Sequence, residues 1–120
     1  MFTQRAALAA LAHRDEITPA IVAHPKTCRD TLVPLLADIP GVQVALPRGG
    51  MYAFFKLDGF DDSLTVANRL VAEAGLGLAP ESSGWLRWCF AAKDTGRLVE
   101  GVRRWRGWLE AQGAAASTKT

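Results

Sequence analysis

One charged residue, Arg87, stands inside the otherwise apolar run Trp85-Leu86-Arg87-Trp88-Cys89-Phe90. A guanidinium does not shed its charge near neutral pH, and burying it without a partner is costly, so this position asks for an anion. A carboxylate fits best, because the planar fork holds two oxygens at once. The plain alternative is a structural arginine in a surface ion pair. Other reactive side chains offer less. His13 and His24 show no acidic or cysteine partner at ligand spacing, so solvated or helix-capping roles are expected. Cys28 and Cys89 form neither a CxxC pair nor a metal set and read as reduced, partly buried thiols with no nucleophilic role. Gly49-Gly50 lacks the following helix start and Lys-Ser/Thr of a phosphate cradle, so it reads as a tight turn. Tyr52, just after that turn, either lines a ligand pocket or packs on a strand face. The pattern is that of a carboxylate-binding arginine without a visible reactive group beside it.

The elements that must position Arg87 follow from periodicity. Gln4 to Ala12 is an alanine-rich helix candidate. Thr18-Pro19 has the form of an N-cap followed by proline at the first helical position. Pro25 and Pro34 then predict two shorter or kinked helices up to Ala37, with Leu32, Leu35, Leu36 and Ile39 facing inward. Strands are expected over Val42–Leu46, Met51–Leu57, Leu76–Ala79 and Trp85–Phe90. Ser63 is the expected N-cap of a helix over Leu64–Ala74, with Gly75 just past its end. A closing helix over Thr95–Gln112 carries the apolar stripe Leu98, Val102, Trp105 and Leu109. Alternation places Trp85, Arg87 and Cys89 on one face of their strand and Leu86, Trp88 and Phe90 on the other. Either face could be the one turned toward a cleft.

Helices first, then strands interrupted by one helix, then a closing helix argue an α+β fold. Its sheet is small, largely antiparallel and of about four strands, covered by helices and preceded by an N-terminal helical segment. The expected organisation is a helical segment over residues 1–40, a small domain over 41–112 and a flexible tail over 113–120.

The chain has 120 residues, 49% of them apolar and 22% charged, enough for one domain with a real core. A net charge of +2 does not by itself imply a nucleic-acid partner. Arg97, Arg103, Arg104 and Arg106 interleave with Trp105 and Trp108, a pattern that RNA-binding surfaces use, but the apolar stripe already explains this segment as an amphipathic helix. No apolar run approaches the ~18 residues of a membrane span, and the N-terminus lacks the pattern of a signal peptide, so the cytoplasm is the expected location.

From Gln4 to about Leu109 the chain resembles the C-terminal part of fold-type I, class I/II pyridoxal-phosphate aminotransferases. Gln4-Arg5-Ala6-Ala7 is similar to the family's Q-x-A-A helix start, and Arg29-Asp30 to the R-D of its interdomain helix. Pro40-Gly41-Val42 precedes the first strand as the family's P-G-V does. Pro47-x-Gly49-Gly50-Met51-Tyr52 resembles P-x-G-G-[FM]-Y, Ala74 to Pro80 resembles A-G-V-x-[VL]-x-P, and Leu86-Arg87-Trp88 resembles [IL]-R-[LIW]. Each motif is weak alone; their order and spacing are specific.

The resemblance implies amino-group transfer between an amino acid and a 2-oxo acid, with Arg87 holding the substrate α-carboxylate and Tyr52 and Trp85 as weaker candidates beside it. It implies pyridoxal 5'-phosphate as cofactor of the intact enzyme. The family's Schiff-base lysine lies in an S-x-S-K context that none of Lys26, Lys56, Lys93 and Lys119 shares. The expectation is therefore that this chain alone neither holds the cofactor nor transaminates, and that it begins about where the large domain would end. The family's loop between the Pro80 and Arg87 equivalents is replaced by the short link Glu81-Ser82-Ser83-Gly84, which bears on where Arg87 stands. A large-domain chain or a homodimer partner is the implied protein partner. Half of a split enzyme, a non-enzymatic interaction module and a small RNA-binding domain are the alternatives.

Overall fold

The computed structural model describes the backbone of residues 1–117 and the side chains of residues 1–113. Helix α1 (Phe2–Ala12) and helix α2 (Arg14–Ala37) meet at His13 and are followed by strand β1 (Val42–Val44) and strand β2 (Tyr52–Leu57). Helix α3 (Ser63–Arg69) runs on into a π-helical turn over Leu70–Ala74. Strand β3 (Ala79–Pro80), a 3₁₀ turn over Ser82–Gly84, strand β4 (Trp85–Cys89) and helix α4 (Thr95–Ser117) complete the chain. The four strands form one sheet in the order β1-β2-β4-β3, every pair antiparallel. The fold is α+β, as the element order predicted. Among the described residues, no helix is long and apolar enough to cross a membrane.

Burial alternates along the two central strands as a half-covered sheet requires. Ala53, Phe55 and Leu57 of β2 and Leu86 and Trp88 of β4 are buried; Tyr52 and Phe54 are exposed, and Trp85 and Arg87 partly so. The covered face meets α2 through Cys28, Leu32, Val33 and Leu36, and α4 through Leu98, Val102 and Trp105. Phe55 sits at the centre, edge-on to Trp105 with ring centroids 5.4 Å apart. Of the predicted inward residues, Leu32, Leu36 and Ile39 are buried and Leu35 is half-buried; in the closing helix Leu109 is half-buried.

Helix α2 departs from expectation. It runs unbroken for 24 residues with Pro19, Pro25 and Pro34 inside it, and it starts at Arg14 rather than after Thr18. An interior proline costs a helix about 3 kcal/mol. The C-terminal half offsets this: Cys28, Leu32 and Leu36 are fully buried, and a fully buried leucine contributes about 1.5–3 kcal/mol. The carbonyl that Pro25 leaves without its donor belongs to Ile21, an exposed residue.

Three local expectations also shift. Asp62, not Ser63, caps α3, its Oδ1 accepting from the amide of Thr65 at 3.1 Å; Ser63 is buried and its hydroxyl donates to the carbonyl of Glu81. The strand expected over Leu76–Ala79 shrinks to Ala79–Pro80, because the Leu76 amide is still engaged with the carbonyl of Leu70. Gly75 just before it has φ +62°, the left-handed helix end its position predicted. Helix α4 continues past Gln112 to Ser117, so the tail expected from residue 113 is helical at its start; the rest of that expectation, residues 118–120, lies outside the described residues.

Candidate carboxylate site on the open sheet face

The uncovered face of the sheet carries Tyr52, Phe54 and Lys56 from β2 and Trp85, Arg87 and Cys89 from β4. Register follows from the pairing of the two strands: Tyr52 lies opposite Cys89, Phe54 opposite Arg87 and Lys56 opposite Trp85. Arg87 therefore stands near the middle of the sheet, part-exposed on the uncovered face with the core beneath its strand. Of the two orientations alternation allowed, Leu86, Trp88 and Phe90 take the buried side. The helices decide this, since they bring their apolar stripes to that side only.

Tyr52 and Arg87 come together. The guanidinium carbon lies 4.8 Å from the centre of the Tyr52 ring, a cation–π contact. Trp85 shares the face two positions along β4, beside Lys56, whose ammonium is held by Asp61 at 2.8 Å. Two residues were missed at the sequence level. Phe54, 46% exposed, faces Arg87 directly across the strands; its period-2 relation to Tyr52 was the signal for it. Glu81 places Oε1 3.2 Å from Arg87 Nε. The geometry is a charge contact rather than an aligned hydrogen bond, and Nε is buried with no hydrogen-bond partner. Sequence carried no signal for Glu81, because its position depends on the path of the link to β4.

That link is tightly built. Ser83 has φ 56° and ψ 39°, a left-handed conformation uncommon outside glycine. Gly84 follows at φ +80°, and a β-carbon there would lie 2.5 Å from the carbonyl oxygen of Phe60. The Glu81 amide donates to the carbonyl of Trp85 at 2.8 Å. The short link thus folds back on the sheet and delivers a carboxylate to the guanidinium.

The remaining candidates sort by their surroundings. Cys28 is buried, but Cys89 is exposed, against the expectation that both would be partly buried; both are free thiols. His24 does have a cysteine neighbour, contrary to expectation: its Nε2 lies 3.5 Å from Cys28 Sγ. Nε2 also lies 2.8 Å from the carbonyl of Ala92. A carbonyl only accepts, so Nε2 carries the proton in that contact and is not free to take one from the thiol. The basic stretch of α4 is largely internally paired. Arg103 and Arg104 both hold Glu100, at 2.6 Å and 2.9 Å, and Arg106 holds Asp38 at 2.6 Å. The two arginines hold the Glu100 carboxyl at about 2, far below its usual range, Arg103 contributing most. Trp105 and Trp108 are buried and are not available for base stacking.

Several grooves lie elsewhere on the surface, two of them larger than the rest. One, of about 580 Å³, runs beside α2 and is lined by Lys26, Arg29, Arg48 and Met51 among others. The second, of about 510 Å³, is lined by Trp88, Lys93, Glu100 and Arg104 among others. Arg87 lines neither. Among the described residues, no group of three potential metal ligands is present.

The chain is similar to known proteins over most of its length. The sequence profile of a family described as aminotransferase class I and II matches residues 1–104. A probable aspartate/prephenate aminotransferase from Aquifex aeolicus is 34% identical over 90 residues, a match covering 68% of this chain and 23% of that protein. The crystal structure of aspartate aminotransferase from Thermotoga maritima superposes with a TM-score of 0.73 at 30% identity, covering 85% of this chain and 27% of that one. A PLP-dependent aminotransferase from Streptococcus suis shares the fold, with a TM-score of 0.77 at 23% identity over 92% of this chain and 30% of its own. The chain thus spans about a quarter of the length of these relatives.

Proposed function

Since this chain belongs to the class I and II aminotransferase family, we propose that it is the small domain of a pyridoxal-phosphate-dependent aminotransferase and that Arg87 binds the α-carboxylate of an amino-acid or 2-oxo-acid substrate. The observation that carries this reading is the placement of Arg87 on the open face of the sheet, part-exposed and with its guanidinium against the Tyr52 ring. A guanidinium so placed offers an incoming carboxylate two parallel donors. The Tyr52 ring limits its swing, and Trp85 supplies an apolar neighbour on the same face.

When bound, pyridoxal phosphate supplies the carbanion stabilisation on which such transfers depend. Neither of the two larger grooves suits that group. The groove beside α2 has cations but no acid to meet a pyridinium nitrogen. The other combines Lys93 with Glu100, whose carboxylate is already engaged by Arg103 and Arg104. This supports the reading that another stretch of polypeptide holds the cofactor and its lysine. So does helix α1, which buries none of its residues and leaves Phe2, Leu8 and Leu11 exposed. Such apolar surface asks for a docking partner, here the large domain. A cytoplasmic location is part of the same proposal.

The test is to combine this chain with a polypeptide carrying the family's lysine-bearing large domain and measure amino-group transfer. Turnover is expected from the pair and not from this chain with pyridoxal phosphate alone. Arg87→Gln should lower kcat/KM by at least about 30-fold, the effect of removing one partner of a hydrogen-bonded charge pair. An unchanged kcat/KM in Arg87→Gln would remove Arg87 from the site. Turnover by the isolated chain well above that of free cofactor would show that no second polypeptide is needed.

A further inference from the structure

We infer that Glu81 is a built-in competitor for the ligand carboxylate at Arg87, so that a substrate acid must displace an internal one before it can bind. The inference rests on the reading of Arg87 as a carboxylate site. Its basis is the chemistry of the contact and the way the chain enforces it. Glu81 supplies the same functional group as the ligand, and its Oε1 stands 3.2 Å from the guanidinium.

The main chain that carries this side chain is fixed beside β4. Both main-chain groups of Glu81 are tied: its amide to the carbonyl of Trp85, and its carbonyl to the hydroxyl of buried Ser63. The left-handed Ser83 and the close approach of Gly84 to Phe60 and Asp61 turn the chain sharply enough to bring Glu81 beside β4.

The contact is also suited to exchange. The Arg87 and Glu81 side chains remain 38% and 34% exposed, so solvent screens the pair and it contributes little to stability. Oε1 is not aligned with the Nε–H, so no hydrogen bond has to be broken when the pair separates. A ligand carboxylate approaching the fork squarely would make the two donor contacts that Glu81 does not.

The experiment is a titration of the full chain with succinate at constant ionic strength, followed through the backbone amide resonances of Trp85 and Arg87. Glu81→Gln and Glu81→Ala should bind about 2–5-fold more tightly than the wild type, the range expected when a part-exposed ion pair no longer has to be broken. Asp15→Asn makes the same change in net charge on the exposed start of α2 and should leave affinity unaltered. Arg87→Gln should abolish binding in either Glu81 background. The Trp105 indole resonance reports whether each variant keeps its core. If both Glu81 variants bind as the wild type does while Arg87→Gln loses binding, the competitor role is overturned and the carboxylate site stands. Equal tightening by Asp15→Asn would reduce the effect to net charge and overturn it as well. If succinate binding is absent or indifferent to Arg87→Gln, the reading of Arg87 itself fails, and the inference with it.

Discussion

The ring of Tyr52 and the guanidinium of Arg87 lie 4.8 Å apart, one residue at the start of β2 and the other in the middle of β4. They are diagonal neighbours, because Arg87 pairs directly with Phe54 and Tyr52 stands two positions along on the same face. Tyr52→Leu removes the ring and keeps bulk. Since the pair is solvent-facing, the loss should be about 0.5–1 kcal/mol, read as a shift in urea midpoint with unchanged slope. A loss above twice that would show that Tyr52 supports the fold itself.

Gly84 is the position in the Glu81–Arg87 link least tolerant of change. An alanine β-carbon there would press on the main chain of Phe60 and Asp61 at a φ of +80°. Gly84→Ala should cost about 1–3 kcal/mol of stability, as left-handed strain and overpacking each do. A change within about 0.5 kcal/mol, the range of ordinary surface substitutions, would mean that the link relaxes freely.

Trp105 is fully buried between Phe55 and Trp108, yet its indole Nε1 has no hydrogen-bond partner. Trp105→Ala should cost about 3–5 kcal/mol through the cavity it leaves. Trp105→Phe should cost far less. It keeps much of the ring and removes an unpaired donor whose burial costs about 1–3 kcal/mol. Equal losses in the two variants, measured by chemical denaturation, would show that the indole N–H is satisfied in solution.

Acid stability should report on Glu100. Its carboxyl is depressed from 4.5 to about 2 by Arg103 and then Arg104. A folded value below the unfolded one means that this stabilisation is present above the unfolded value and lost as pH falls toward the folded one. Between about pH 4.5 and 2 the denaturation midpoint should therefore fall. Glu73, lowered first by Arg69 and then by Trp108, and Asp62, lowered by Thr65, add to the same trend. Glu100→Gln should flatten the slope in that window and leave the curve above pH 5 parallel to the wild type. An unaltered slope would show that solvent screens the pair completely.

Much of this protein was legible without coordinates. Alternation along Trp85–Phe90 grouped Trp85, Arg87 and Cys89 on one face of their strand, and the stripe Leu98, Val102, Trp105 identified the core face of α4. These are local regularities: a two-residue or 3.6-residue period is imposed by backbone geometry, and burial selects residue types in step with it. The order of motifs from Gln4 to Leu109 likewise pointed to the family that the profile over residues 1–104 supports. Tertiary structure decided the rest. Which sheet face stays open depends on where α2 and α4 return from distant parts of the chain. Helix α2 persists through Pro25 and Pro34 because the core pays a local penalty that propensity alone would not overcome. Glu81 meets Arg87 because a four-residue link must close against Phe60 and Asp61. Contacts between residues remote in sequence or held by an irregular turn leave no periodic trace, so only the folded chain shows that the guanidinium already faces a carboxylate of its own.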